Sequence, residues 1–372
     1  MPANPMESAD VLTQAELDAA LAAGKAIPVC AGDGEFSVDG RAHVRAADSA
    51  RVTARGAAMV EAGGDASVSA SGLATVLARD GAVVDAGDEA TVRAGGHTIV
   101  RARGDAFVLL SARATGEGSD RVVITARGQS SVTAGDSARV RAFEQARVIA
   151  YGDVMVQAWG FANVEAYDRA GVSAWGSAGV RAAGEATVEA RESAFVEAGA
   201  GARVRAYGAC AVRARGGATV DALDHVSVTV HGTAATVTGG TVTRAPAPQT
   251  AQEWCDLYGV EVKDGVATLY KAVDGEFSSY HGMSYVPGSE PQAPDWDGGA
   301  EECGGGIHLA PRPGLALPRT YGARRFVACP VRVVDIVIHP DGLYPDTVKA
   351  PAVCAPVYEV DELGRPLGGS AP

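Results

Sequence analysis

From Val44 to Val108 a valine returns every eight residues, and the same slot is valine from Val132 to Val228. The two runs are separated by 24 residues, a whole number of octads, with Gly116 and Ile124 occupying the intervening slots, so the phase survives. Counted from Val44 to Val228 there are 24 octads of the form A-x-V-x-A-x-[GD]-x. Small apolar residues two apart follow strand periodicity, with Ala-Val-Ala pointing inward and the alternate positions outward. The slot four after the valine is Gly 13 times and Asp 7 times, which suits a corner with unusual backbone angles. One strand and one corner per octad make a β-solenoid. Hydrophobic residues are 47% of the chain and aromatics only 6%, so a core of Ala and Val, thin rather than globular, is expected.

A turn could take two octads or three, and the outward residue just after each valine decides. Stacked strands place equivalent residues about 4.8 Å apart, so like charges in register would repel. At a spacing of 16 residues the charged pairs are Arg45–Glu61, Asp85–Arg101, Glu165–Arg181, Arg181–Glu197, Glu197–Arg213, Glu189–Arg205 and Arg205–Asp221, all of opposite sign. At 24 residues like pairs appear: Glu61–Asp85, Glu165–Glu189, Glu197–Asp221 and Arg181–Arg205. Two octads per turn is predicted, giving twelve turns and a rod of about 58 Å.

That spacing also orders the aromatic slot, three residues after the valine. Phe143, Trp159 and Trp175 then stack on one face, and Tyr151 and Tyr167 on the other, with Tyr207 further along. Such rings either form a stabilising ladder or offer a docking surface for a protein or glycan partner.

Charge narrows the partners. The chain carries 32 basic and 45 acidic residues, but Val44–Val228 holds 20 Arg, no Lys and 21 acids, so the repeat is nearly neutral between acidic flanks. This argues against a DNA-mimic surface and against nucleic-acid binding. The first residues lack a basic flank followed by an apolar run, and no stretch approaches 18 uninterrupted apolar residues; neither a signal peptide nor a membrane span is expected. Six scattered Cys read as reduced thiols, and a cytoplasmic location is expected. The nine-residue calcium-binding repeat is absent, and the outward slots lack the Thr arrays of ice-binding solenoids. The octad resembles the sixteen-residue repeat of ice-nucleation proteins in period and in its "AYG" element, without their Thr-rich strand, so the likeness implies shared physics and not a shared function.

The ends differ from the repeat. "LTQAELDAALAAGK" predicts a short helix, with Thr13 and Glu16 at capping-box spacing and Gly24 as its stop, plugging the first coil. After Val228 the phase is lost in "HGTAATVTGGTVTR", which suggests a fraying last turn. The predicted organisation is a helical cap over 1–43, a solenoid over 44–244, a linker over 245–250 and a small α+β domain over 251–372. In that domain "VEVKDGVATLYKAV" predicts a hairpin at Lys263-Asp264-Gly265, and "RRFVACPVRVVDIVIH" a buried strand or pair of strands.

Lys271, then Gly282, Tyr285 and Gly288 as G-x-x-Y-x-x-G, then Cys303-x-x-Gly306-x-His308 with Pro313, resemble a domain of unknown function common in phage and prophage genomes. The resemblance covers about residues 268–355. It departs from the family pattern at Ala310, where a second Cys is frequent, and in having the repeats before the domain; it implies no established chemistry. More loosely, "LYKAV", "HGMSY" and "GGGIHLAPRP" resemble the mono-ADP-ribosyltransferase superfamily. That likeness would make NAD the cofactor, His281 and Tyr285 its nicotinamide–ribose contacts and Glu359 the orienting acid, with His308 where a Tyr is usual. Cys303, His308, Cys329 and Cys354 are the metal-ligand types available to zinc, and Cys303–His308 a possible nucleophilic pair; the structural alternative is a tight turn at Gly304–Gly306 with His308 satisfying a local hydrogen bond. The function expected is a non-enzymatic scaffold, phage- or prophage-related, in which a solenoid carries a recognition domain. An ADP-ribosyltransferase-like enzyme is the alternative.

Overall fold

The computed structural model describes residues 10–24, 27–245, 247–279, 281–299, 301–316, 325–342 and 344–367. The chain divides into two compact units, residues 1–229 with 236–243, and residues 230–235 with 244–372.

The first unit is a parallel β-solenoid of about 15 turns with a 16-residue period. Each octad forms a four-residue strand and a corner. Val60 lies between Val44 and Val76, and Arg181 pairs in register with Glu165 on one side and Glu197 on the other. The predicted pitch therefore holds. Strands centred on Val44, Val60 and so on to Val220 form one face (face 1); those centred on Phe36, Val52 and so on to Val212 form the other (face 2). Inward Ala, Val and Ala are almost wholly buried, as at Ala58, Val60 and Ala62. The ladder also continues round the corners, where Asp105 N–H reaches Asp88 O at 2.8 Å and Gly81 N–H reaches Gly64 O at 3.0 Å. At least five of the seven predicted charge pairs close as ion pairs, including Arg45–Glu61 at 3.0 Å, Arg181–Glu197 at 3.1 Å and Arg205–Asp221 at 3.2 Å. Glu189 instead engages Arg191 two residues along its own coil.

The corner slot has positive φ throughout, at Gly56 and Gly152 but also at Asp48, Asp88, Asp168, Glu144, Ala112 and Ala200. Tolerance of this conformation explains Gly; it does not explain why Asp recurs. The carboxylates do. Asp88 accepts from Gly72 N–H, Asp120 from Gly104, Asp168 from Gly152 and Asp224 from Gly208, all at 3.0–3.1 Å. Each of these acidic corners thus caps the corner one coil before, 16 residues away.

The irregular stretch "ATGEGSDRVVI" is a volume exchange. Leu110 and Ile124 replace smaller core residues and are fully buried. They lie where the side chains of Gly116 and Gly118 would be: a Cβ on Gly116 would sit 2.6 Å from Leu110 Cδ1, and one on Gly118 2.7 Å from Ile124 Cδ1.

The solenoid outruns the valine repeat at both ends, which is why twelve turns were too few. Glu35–Val38 pairs with Arg51–Ala54, Val29–Cys30 with the strand of Val44, and Asp10–Val11 with Val29–Cys30. Helix α1 (Gln14–Ala22) carries the predicted capping box at Thr13 and Glu16, and Gly24 has positive φ after it. Its Leu17 is buried, and the Gln14 amide exchanges two hydrogen bonds with the Ser37 backbone, 3.1 and 2.7 Å. The helix satisfies a sheet edge that would otherwise be open. At the other end the expected fraying is not found. Thr219–His231 is one continuous strand with Val226, Val228 and Val230 buried, followed by a strand at Thr236–Ala245. The octad persists through Thr219–His231: Asp224 and Gly232 keep the positive-φ corner, and Leu223, Asp224 and His225 are exposed between buried Ala222 and Val226, so the phase is lost only after Gly232.

The second unit begins with helix α2 (Ala251–Tyr258), whose N-cap is Thr250 at the end of the expected linker. The predicted hairpin forms: Val262–Lys263 pairs with Val266–Ala267, and Asp264 and Gly265 both have positive φ. A four-stranded antiparallel sheet runs Val262–Lys263, Val266–Val273, Arg325–Arg332, Tyr358–Val360, and a three-stranded one runs Ile307–Leu309, Val348–Ala350, Val337–Ile338. Trp254, Tyr285, Leu269, Ile307 and Val327 form the core between them.

Candidate functional surfaces

On the solenoid, the corner after each face 1 strand builds the aromatic column. Phe143 and Trp159 stack at 4.7 Å with planes 5° apart, and Trp159 and Trp175 at 4.9 Å and 9°. Arg127 lies 5.0 Å over Phe143, and further along the column Arg191 lies 5.0 Å over Tyr207. After the face 2 strands, Tyr151 and Tyr167 stack at 5.3 Å. Both faces of the Trp159 ring are covered by neighbours, so the column presents ring edges to a partner. Met155 and Phe161, on either side of Trp159 in the chain, are 54% and 66% exposed. A protein partner can use edges and a thioether; a sugar stacking on a ring needs its face.

Face 2 carries a second feature that the sequence did not suggest. An open trough of about 1020 Å³ runs along the rod from Thr53 to Tyr151. One wall is the outward column Ser69, Asp85, Arg101, Glu117, Thr133, stacked in register. The floor is Ala70, Ala86, Ala102, Gly118 and Ala134, and the second wall is the corner column in which Ser71, Gly87, Ser119 and Gly135 are small. Small residues in this column leave the hollow that Tyr151 then ends.

In the second unit the residues proposed for an enzyme do not converge. Tyr285 is 1% exposed in the hydrophobic core, and burial pushes its phenol far above the usual range. It cannot meet a nicotinamide. Lys271 stands 5.6 Å over its ring and donates to His308 O at 3.1 Å. His308 Nε2 lies 3.1 Å from Glu302 O, and burial lowers its pKa. The Glu359 carboxylate is engaged by Arg325 at 3.1 Å, and His281 is exposed on a loop.

The C-x-x-G-x-H element is a crossing point. Side chains at Gly304, Gly305 and Gly306 would collide with Asp297 Oδ2 at 1.9 Å, Asp295 O at 1.6 Å and the Trp296 ring at 2.8 Å. Three glycines are there so that segment 295–297 can pass over segment 304–306. Lys349 locks the crossing. Its side chain is 1% exposed, and Nζ donates to Asp297 Oδ1 and Oδ2 at 2.8 and 3.0 Å and to Glu301 O at 2.7 Å, using all three protons. The bond from Lys349 holds the Asp297 carboxyl below its usual range. Sequence reasoning missed this lysine, because a Lys within "TVKAP" looks like any exposed strand residue.

Nor do the four metal-ligand candidates assemble: among the described residues no group of three or more His, Cys, Asp or Glu side chains is arranged to hold an ion. Cys329 lies wholly buried in a strand with its thiol pushed up to about 12 by burial, while Cys303 is exposed. No family model, curated protein or solved structure matches the chain. Among the described residues no helix is long and apolar enough to cross a membrane.

Proposed function

We propose that this chain is a binding rod: a rigid solenoid whose outer columns engage a partner, carrying a small recognition domain, with no chemical turnover of its own. The observation that supports this most directly is that Met155 and Phe161 are exposed on the same coil as the Trp159 ring, on a frame fixed by parallel hydrogen bonding. Exposed apolar groups on so regular a surface are more than the rod needs to fold, and a protein partner fits ring edges best. The second unit supports the non-enzymatic reading through its burial of Tyr285 and its use of the glycine run for packing. A phage- or prophage-associated setting, suggested by the resemblance of that unit, and a cytoplasmic location, suggested by the scattered Cys that read as reduced thiols, belong to the same proposal.

Hydroxyl-radical footprinting of the full chain, alone and in its native extract, tests the proposal. Protection at Met155, Trp159 and Phe161, lost in Trp159→Ala/Trp175→Ala, is the expected result. Unchanged labelling over the whole solenoid, or a turnover activity traced to residues 251–372, would overturn it.

A further inference from the structure

Outward charges along the wall of the face 2 trough neutralise one another, with Arg101 lying 3.9 Å from Asp85 and 3.6 Å from Glu117. The middle of face 1 is different. Between Glu61 and Glu189 its outward strand positions hold Arg93, Arg139 and Arg141 and no acid. Arg139 and Arg141 project from the same side of one strand, about 7 Å apart. Their register neighbours are Val123 and Met155 for the first and Thr125 and Gln157 for the second, none of them charged. Both arginines are exposed, and among the described residues neither makes an ion pair, a hydrogen bond or a ring contact. Arg127, in the corner one coil before, adds a third cation, held over the Phe143 ring.

The acids in the flanking corners are committed elsewhere. Glu144 accepts from Gly128 N–H at 2.8 Å, Asp136 from Asp120 N–H at 3.1 Å, and Asp153 pairs with Arg169 at 2.7 Å. Like charges set side by side without a counter-ion weaken a sheet, and a sequence keeps such a conflict where a site needs it. Apolar groups border the pair. Phe107, Val123, Arg139 and Met155 follow one another in register, with Phe107 51% and Met155 54% exposed. That column spans about 14 Å at the strand spacing, and the Trp159 edge lies on the coil of Met155.

Free guanidiniums beside apolar side chains fit carboxylates carried beside apolar side chains, since Arg takes a carboxylate through paired hydrogen bonds. A single-stranded nucleic acid would also answer the charge, but its bases need open ring faces on which to stack. Phe143 is covered by Arg127 and Trp159, and Trp159 by Phe143 and Trp175, so neither ring offers one.

We infer that the middle of face 1 docks an acidic segment of a partner protein, with its carboxylates on Arg139 and Arg141 and its apolar side chains on Met155 and the Trp159 edge. This rests on the reading of the solenoid as a binding rod and specifies the chemistry of what the rod binds.

Fluorescence anisotropy of the full chain with a labelled dodecapeptide repeating Asp-Glu-Leu-Gly tests the inference, with the Asn-Gln-Leu-Gly counterpart and a labelled oligothymidylate as comparisons. The acidic peptide is expected to bind saturably, more tightly than either comparison, and less tightly as salt rises. Arg139→Gln/Arg141→Gln should weaken it about tenfold, the equivalent of two exposed ion pairs. Arg139→Lys/Arg141→Lys keeps the charge and should lose less. Both variants should retain the exchange protection of the strand amides, because neither arginine has a contact within the rod to lose. No binding of the acidic peptide, equal binding of its amide counterpart, tighter binding of oligothymidylate, or an affinity indifferent to Arg139→Gln/Arg141→Gln would each overturn the inference. Footprint protection at Met155 and Phe161 that survives Arg139→Gln/Arg141→Gln would remove the acidic partner and leave the binding rod standing.

Discussion

Restoring the repeat where it is broken should harm the protein. Gly116 occupies a valine slot, so Gly116→Val would look like a repair of the consensus. Its Cβ alone would lie 2.6 Å from Leu110 Cδ1, and the valine methyls extend further into the same space. Overpacking of this kind costs about 1–3 kcal/mol, offset in part by about 0.5–1 kcal/mol from removing a strand glycine. Leu110→Ala, the other half of the repair, opens a cavity opposite a residue with no side chain to collapse into it, which places it toward the upper part of about 3–5 kcal/mol. The double variant Leu110→Ala/Gly116→Val rebuilds an ordinary coil and should lie within about 1 kcal/mol of the parent. With single effects of about 1 and about 4–5 kcal/mol, the coupling energy is then about 4–5 kcal/mol, beyond the usual range of about 0.5–3 kcal/mol for side chains in contact. Because a repeat array can open locally, the measurement is native-state hydrogen exchange at the amides of Phe107–Leu110 and Thr115–Gly118, supported by denaturant titration. Additive single effects would refute the volume exchange.

Four further outcomes follow from the same structure. Asp168→Ala should destabilise more than Asp168→Gly, by about 1 kcal/mol for the left-handed backbone, with both speeding exchange at Gly152 N–H; equal thermal shifts would deny that conformation. Ala200→Gly, at a positive φ of 48°, should raise stability by up to about 1 kcal/mol, and a fall in Tm would contradict it. Trp159→Ala removes two stacks and should cost about 1–3 kcal/mol beyond its buried area, read from the same titration; no loss would mean the column is decorative. In the second unit, the folded-state pKa of Asp297 lies below its unfolded value, so its contribution is present above the ordinary carboxylate range and lost as pH falls through the depressed folded value. Acid titration of thermal stability should show this loss in the parent and a flatter profile in Asp297→Asn, whose stability is already lower at neutral pH; parallel profiles would dissociate Asp297 from acid sensitivity.

The solenoid was legible because a strand forced to stack on itself writes its period into both the core valines and the outward charges. Arg181 between Glu165 and Glu197 was readable from sign alone. The recurrence of Asp at corners was legible only by half, since its hydrogen bond reaches a residue 16 positions back and leaves no local pattern. The ends were read less well: Glu35–Val38 carries Phe where the repeat has Val, and beyond Gly232 the last strand, Thr236–Ala245, leaves the octad altogether. In the second unit the Gly304–Gly306 run looked like a site motif, yet its cause is a chain crossing by Asp295–Asp297, a little earlier in the sequence. The trough escaped notice because it is made of what is missing, small side chains at Ser71, Gly87, Ser119 and Gly135 in a column otherwise free to vary.

The two-octad coil also makes the number of octads a matter of parity. Duplicating two octads would lengthen the rod by one step of about 4.8 Å and leave every column intact. Losing a single octad, by contrast, would move every later residue to the opposite side, seating Trp175 in line with Tyr151 and setting guanidinium and carboxylate columns out of correspondence at the junction. Lineages of such a rod should therefore grow and shrink by pairs, and an odd count would identify a protein whose surface had been exchanged rather than extended.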